Sequence, residues 1–189
     1  MNNKNDSTQD ITRHSKFLSL VLRHEPQNIG LQLDDAGWAS VQELLRCLAD
    51  ARKSMSLQRL EHIVAQDSKQ RFSFSEDGQR IRANQGHSIA VELGLPEQVP
   101  PDVLHHGTAT RFLDSILREG LTKQSRHHVH LSEDLTVAGT VGRRYGKLVI
   151  LDVDAKRMRD NGHVFYRSDN GVWLTEAVPP QFLKARESL

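Results

Sequence analysis

The nine-residue stretch GLPEQVPPD, residues 94–102, limits the fold of this chain more than any other segment. Pro96, Pro100 and Pro101 fix φ and remove backbone donors, so the stretch acts as a stiff connector and not as a core element. It separates residues 1–93 from residues 103–189, and each part of the 189-residue chain is long enough for a modest core. Two lobes joined by a linker at 94–102 are expected.

In the first lobe, residues 1–9 are too polar to bury anything and are expected to form a disordered lead-in. From Asp10, the spacing of Ile11, Phe17, Leu18, Val21 and Leu22 predicts a helix that Pro26 terminates. Arg23 and His24 then fall on its last turn, where the helix macrodipole favours cations. Leu31 and Leu33 alternate ahead of a turn at Asp35-Ala36-Gly37, and Trp38 begins a short return. Ser40-Val41-Gln42-Glu43 matches a capping box opening the helix VQELLRCLAD, in which Cys47 reads as a small core residue. A further helix starts at Ser56, with Leu57, Leu60, Ile63 and Val64 on one face. RFSFS, the turn Glu76-Asp77-Gly78 and QRIRA form a hairpin.

Helix, short strand, helix, helix and hairpin follow one another as in a winged-helix module, which by fold analogy points to nucleic acid. Residues 1–93 hold 12 basic and 12 acidic side chains, so any positive surface is a patch. Lys69, Arg71, Arg80 and Arg82 supply it, with a solvated hairpin face as the alternative for the last two. Next comes IRANQGHS, where Asn84, Gln85, Gly86 and His87 make either an ordinary turn or a loop that lets backbone approach a ligand.

The second lobe opens on a histidine-rich run. Leu104 to Ser132 holds five of the chain's ten histidines: His105 and His106 before an expected Gly107-Thr108 turn, then His127, His128 and His130. Thr110 is placed to cap the helix RFLDSILRE, and Gly120 to end it in a left-handed cap. This layout brings His106 and His130 side by side on adjacent strands. A glycine-weakened helix in EDLTVAGTVGRRYG, a buried strand KLVILDVD and a final hairpin complete the lobe. In that hairpin Asp169-Asn170-Gly171 turns, and Val172 and Trp173 start the return strand. The fold class is α+β.

Clustered histidines invite a metal, but a metal site needs three or four converging ligands, and neither a cysteine nor a carboxylate accompanies His106 or His130. No metal is expected. His106-Gly107-Thr108 and His130-Leu131-Ser132 are two copies of His-x-Thr/Ser, the pattern with which two-histidine phosphoesterases flank a cyclic phosphate. Arg23, Arg71 and Arg126 offer another chemistry, because guanidinium forks suit a phosphate dianion. Across the chain 25 basic residues balance 24 acidic ones, so no global field attracts nucleic acid. A single cysteine excludes an internal disulfide. With no apolar leader and no membrane-length run, a cytoplasmic protein without membrane contact is expected, as a monomer.

The segments LSLVLRHEP, GWASVQELL, RFSFSEDGQRIRANQGHS, LHHGT and SRHHVHLS, taken in order, resemble the NAD-dependent RNA 2′-phosphotransferases, the bacterial KptA-type enzymes in particular. The likeness runs from about residue 12 to about residue 180. It implies a winged-helix lobe on the RNA side over 1–93 and an ADP-ribosyltransferase-like mixed α/β lobe that binds NAD over 103–189. It also implies a metal-free reaction in two steps. An internal RNA 2′-phosphate, as in a spliced tRNA, displaces nicotinamide from NAD, which is consumed. The ribose 2″-hydroxyl then attacks that phosphate, giving 2′-hydroxyl RNA and ADP-ribose 1″,2″-cyclic phosphate. The family's catalytic set falls on Arg23, His24, Arg71 and Arg126. Its His-His-Val triad falls on His106, His130 and Val172, with Gly107, Thr108, Ser132 and Arg143 (or its neighbour Arg144) also on the NAD. Lys69, Gln85 and His87 are implied on the RNA phosphate side. A related enzyme that caps terminal phosphates of nucleic acid with ADP-ribose, and a winged-helix binder that only senses NAD, are the alternatives.

Overall fold

A computed structural model describes residues 3–186, with side chains from residue 9 onward. The chain forms two compact units, Met1–Gly94 and Leu95–Leu189.

The first unit begins with α1 (Asn3–Arg23). This helix starts inside the stretch expected to be a disordered lead-in, of which Met1 and Asn2 lie outside the described residues. The physical reason is that extending a helix costs far less than nucleating one, so the packed turn of Leu18, Val21 and Leu22 carries polar residues with it. Pro26 starts a 3-10 turn, Pro26–Ile29, and so ends α1. β1 (Ala39–Ser40) follows directly on Trp38, whereas Leu31 and Leu33 belong to no strand. Next come α2 (Val41–Asp50) and α3 (Leu57–Ala65). Ser40 Oγ accepts the Glu43 amide at 3.3 Å, and Ser56 Oγ accepts that of Arg59 at 3.1 Å, so both helices start on side-chain caps.

β2 (Phe72–Phe74) and β3 (Arg80–Ala83) form the hairpin, and β1 joins it in the order β1-β3-β2, all antiparallel. Leu18, Leu22, Leu44, Leu48, Leu60, Ile63 and Ile81 are fully buried beneath this sheet and among the helices, and Cys47 lies with them. Leu57, expected on the buried face of α3, is 45% exposed at its first turn.

The second unit contains β4 (Val103–Ala109), α4 (Thr110–Glu119), β5 (Leu121–Thr122), β6 (Val129–Leu131) and α5 (Leu135–Gly142). After them come β7 (Leu148–Asp154), α6 (Ala155–Asp160), β8 (Tyr166–Arg167), β9 (Trp173–Thr175), β10 (Ala177–Val178) and β11 (Leu183–Ala185). The sheets run β11-β7-β4, β6-β9-β8 and β10-β5. Every strand pair is antiparallel, in keeping with an α+β chain. Leu104, Leu151, Val153, Met158, Phe165 and Val178 centre its core.

Three local expectations are corrected here. Gly107 and Thr108 do not turn but continue β4, paired with Ile150 and Val149. Thr110 is the first residue of α4 and Ala109 precedes it with no side-chain cap. Gly120 has φ 86° and ψ −176°, an extended conformation open to glycine and not the left-handed helical one. A Cβ on Gly120 would also lie 2.3 Å from the Val178 carbonyl oxygen, so close packing fixes this residue too.

Gly107 is governed by packing of the same kind. A Cβ there would sit 1.8 Å from the Ala138 carbonyl oxygen of α5, and one on Gly142 would sit 2.8 Å from the Thr108 nitrogen. These two glycines let α5 lie directly against the backbone of β4. Among the described residues no helix is long and apolar enough to cross a membrane.

Candidate functional site

In the first unit the end of α1, the start of β2 and the loop after β3 meet through hydrogen bonds. Arg23 Nη2 donates to the Arg71 carbonyl oxygen at 3.3 Å, and its guanidinium carbon stands 5.9 Å from the Phe72 ring centroid. His24 Nδ1 is 2.9 Å from Ser88 Oγ, while the Ser88 amide donates to the Arg23 carbonyl at 2.9 Å. Arg71 is held from below by Asp67, whose carboxylate accepts both its guanidinium Nη1 and, at 2.7 Å, its main-chain N–H. The Asp67 side chain is only 4% exposed. Asn84 completes the arrangement, its amide donating to the Arg71 carbonyl at 2.9 Å and its Nδ2 to the Gln70 carbonyl at 2.7 Å.

The structure thus brings Arg23, His24 and Arg71 together. Asp67, Asn84 and Ser88 hold them, and sequence patterning gave none of these three a supporting role. The one signal for Asp67 was its spacing four residues before Arg71. Of the residues implied on the phosphate side, Lys69 is exposed, Gln85 is half-buried, and His87 is 1% exposed. His87 lies against Gly37, where a Cβ would be 3.4 Å from its Nε2.

In the second unit, an isolated bridge between His105 and Ser132 joins β4 to the end of β6, with reciprocal N–H to carbonyl bonds of 2.8 and 2.9 Å. This places His106 beside His130. His106 Nδ1 is 3.0 Å from the His130 carbonyl oxygen. A carbonyl only accepts, so Nδ1 carries the proton and Nε2 of the neutral ring is bare. Arg126 Nη1 stands 3.1 Å from His130 Nδ1. A guanidinium only donates, so His130 accepts at Nδ1 and, when neutral, carries its proton on Nε2. The two rings therefore hold opposite tautomers.

Burial pushes the His106 pKa below its ordinary 6.5 and the Arg126 charge adds to this, against the opposing pull of its bond to the His130 carbonyl. The unfolded chain takes up this proton near pH 6.5 and the folded one resists it, so the contribution is intact above 6.5 and lost as pH falls below it. The urea midpoint of the second unit, followed by a probe within it, is expected to drop between about pH 7 and 5, and to drop less in His106→Gln. Equal slopes in both proteins would remove His106 from that effect.

Ser132 Oγ donates to the Asp134 carbonyl at 3.0 Å and accepts the Asp134 amide at 3.1 Å, shaping the turn into α5. Val172 lies just before β9, where the register of β6 against β9 ends with Leu131 opposite Trp173. Its amide donates to Ser168 Oγ at 3.1 Å, and its carbonyl accepts the Ser168 amide at 3.0 Å. Gly107 and Thr108 are buried in β4, and Arg143 and Arg144 are exposed in the 3-10 turn after α5, with Arg143 over Gly139. His105 pairs with Asp152 at 2.8 Å, and Asp152 also pairs with Arg186 at 3.1 Å, a structural network across β4, β7 and the end of β11. His128 packs edge-on to Tyr166. Among the described residues no group of three His, Cys, Asp or Glu side chains is placed to hold a metal ion.

Comparison with known proteins gives the chain its family. The family model described as RNA 2'-phosphotransferase, Tpt1 / KptA family, matches residues 9–177. The chain belongs to this family. A protein of Acaryochloris marina named "Probable RNA 2'-phosphotransferase" is 51% identical over 174 residues, 92% of this chain and 96% of its own length. Proteins of Burkholderia lata and Hahella chejuensis with the same name are 55% and 56% identical. The first aligns over 93% of this chain and 91% of its own length, the second over 89% and 91%. The Tpt1/KptA match covers most of both units and includes Arg23, His24, Arg71, His106, Arg126, His130 and Val172.

Proposed function

We propose that this chain removes an internal 2′-phosphate from RNA by transferring it to NAD. The two steps are ADP-ribosylation of the phosphate with loss of nicotinamide, then transesterification to 2′-hydroxyl RNA and ADP-ribose 1″,2″-cyclic phosphate. The observation that carries this proposal is the family match across residues 9–177, which spans both histidine and arginine groups. The helix, strand, helix, helix, hairpin order of the first unit supports a winged-helix lobe on the RNA side. The short antiparallel sheets of the second unit are consistent with an ADP-ribosyltransferase-like lobe on the NAD side.

The residues of the second unit suit a ribose. A ribose hydroxyl both donates and accepts; the bare Nε2 of His106 offers an acceptor, and Nε2–H of His130 offers a donor. When bound, NAD supplies a ribose carbon from which nicotinamide can leave. The protein's part is to hold and orient. Arg23 and Arg71 donate to the phosphate oxygens, and Arg126 adds a third guanidinium for the charge that grows in transesterification. His24, held at Nδ1 by Ser88, is assigned to hold or move a proton. Val172 contributes no base. None is needed for a nucleophile that is already an anion, and an apolar side chain leaves the ribose hydroxyl unclaimed for the second step. Arg143 is assigned to the pyrophosphate or adenosine, and Ser132, Gly107 and Thr108 to the ribose and nicotinamide side. Lys69, Gln85 and His87 are assigned to the RNA phosphate side.

A 2′-phosphorylated oligonucleotide incubated with and without NAD tests this. Phosphate loss that requires NAD, with release of nicotinamide and the cyclic ADP-ribose product, is expected. Phosphate loss without NAD would overturn it in favour of a two-histidine phosphoesterase. Product that stops at ADP-ribosylated nucleic acid would favour a capping enzyme. His106→Ala is expected to raise the NAD concentration required; unchanged NAD dependence would remove His106 from the cofactor side.

A further inference from the structure

The hairpin that begins at Arg71 runs on past the arginine cluster, and its outward face carries more than solvent-facing polar groups. On β3, buried Ile81 and Ala83 alternate with Arg80 and Arg82, which puts the two arginines on the face away from the core. Ala39 of β1 pairs with Ile81, so Trp38, one residue earlier, comes opposite Arg82. Its indole takes both arginines: the guanidinium carbon of Arg82 lies 4.6 Å from the ring centroid and that of Arg80 5.3 Å. Ser73 of β2 flanks Arg82 on the other side. One strand therefore leads from Arg80 through Arg82 to Asn84, whose amide is bonded to Arg71. That span is about 13 Å of extended backbone, enough for a short run of nucleotides.

One arginine over a tryptophan is a common way to cover an indole. Two on one ring, two residues apart on a strand whose end is bonded to the Arg71 main chain, form a layered platform. The indole orients the guanidinium planes, and the Arg80 side chain is still 52% exposed. Charge alone does not make this face attractive, since Asp34 stands 3.6 Å from Arg80 and Asp77 sits at the hairpin turn bonded to Ser75. A partner that gains chiefly by stacking fits better than one that gains chiefly by charge. Single-stranded RNA is such a partner, because its bases stack on aromatic rings and arginine planes while its phosphates meet guanidinium groups.

We propose that the face formed by Trp38, Arg80 and Arg82 binds the single-stranded RNA that flanks the phosphorylated nucleotide. A base stacks on the guanidinium layer, and Arg82 holds a backbone phosphate. The proposal rests on the phosphotransferase function for the identity of the substrate. The face itself is defined by the strand register and the two stacking contacts.

The test compares a 2′-phosphorylated dinucleotide with substrates lengthened at one end and then at the other, on the full-length protein. With the wild type, added nucleotides at one end are expected to lower KM by roughly tenfold. Arg80→Gln/Arg82→Gln is expected to lose that gain while kcat and KM for the dinucleotide stay the same. The slope of log affinity against log salt should fall by about 0.7 for each phosphate that a guanidinium no longer neutralises. A wild type indifferent to length, or a double variant that slows dinucleotide and long RNA equally, would overturn the proposal. If the wild type processes no 2′-phosphorylated substrate with NAD, the phosphotransferase function has failed and not this one. Fluorescence anisotropy with an unphosphorylated single strand then decides, weaker binding by the double variant supporting the face and equal binding overturning it.

Discussion

Replacing Arg71 with alanine is expected to lower turnover of a 2′-phosphorylated RNA by roughly 100- to 1000-fold, the range found when one preorganised donor to a developing oxyanion is lost. ADP-ribosylated RNA is expected to accumulate, because the second step draws most on the charge at phosphorus. His24→Ala is expected to do the same through loss of proton transfer. Arg71→Ala has a structural cost as well, since it leaves the Asp67 carboxylate, 4% exposed, without its guanidinium partner. Breaking such a pair typically costs about 3–5 kcal/mol. Arg71→Lys separates the two effects: it keeps a cation near Asp67 but lacks the bidentate fork. A Lys variant that folds like the wild type yet stalls after the first step would support the assignment. Full turnover by either the Arg71→Lys or the His24→Ala protein would remove that residue from the chemistry.

Gly107→Ala is expected to destabilise the second unit through packing alone. Its methyl group would enter the space of the Ala138 carbonyl at 1.8 Å, and the atom it meets is backbone, which has no rotamer to yield. A cost of at least about 1–3 kcal/mol is expected from overpacking of this kind. Because the chain has two compact units, a single unfolding midpoint is not the best measure. Hydrogen exchange should show the loss concentrated in β4, β7 and α5, with the first unit unaffected. Protection of β4 and α5 equal to wild type in Gly107→Ala would show that α5 can lift from β4 at little cost.

Elements with a period or a punctuating residue were legible in the sequence. The end of α1 at Pro26, the cap Ser40, the helix start at Ser56, the β2–β3 hairpin and the strand β7 all follow from local signals, and the structure has each of them. The adjacency of His106 and His130 was legible too, as two strand ends joined by a helix. What escaped was decided at long range. The Gly107-Thr108 pair looks like a turn because glycine usually marks one, but here the glycine serves helix packing, and nothing in its neighbours announces α5. β5, β10 and β11 are two or three residues long, too short for alternation to register, and exist because β5 and β10 pair with each other and β11 adds to β7. Leu57 was placed on the buried face by spacing alone. It lies at the first turn of α3, where the face has not yet reached the core.

The arginine and histidine sites divided in the same way. Composition pointed to guanidinium groups and imidazoles, and the resemblance supplied the numbers. The supporting residues were silent, since an Asp four residues before an Arg, or an Asn after a strand, occurs on many surfaces without consequence. Only burial of Asp67 and of Asn84, at 9% and 3% exposed, separates these from ordinary polar residues.

Asp67 has a further consequence. Bound to the Arg71 guanidinium, it acts as a resident counter-ion that offsets this charge with no RNA present. Arg71 is thereby already oriented in the unliganded protein. On the proposed function, an incoming phosphate must then compete with a carboxylate that cannot leave. That competition favours a dianion, which can outbid it, over the singly charged diester phosphates that make up the rest of an RNA chain.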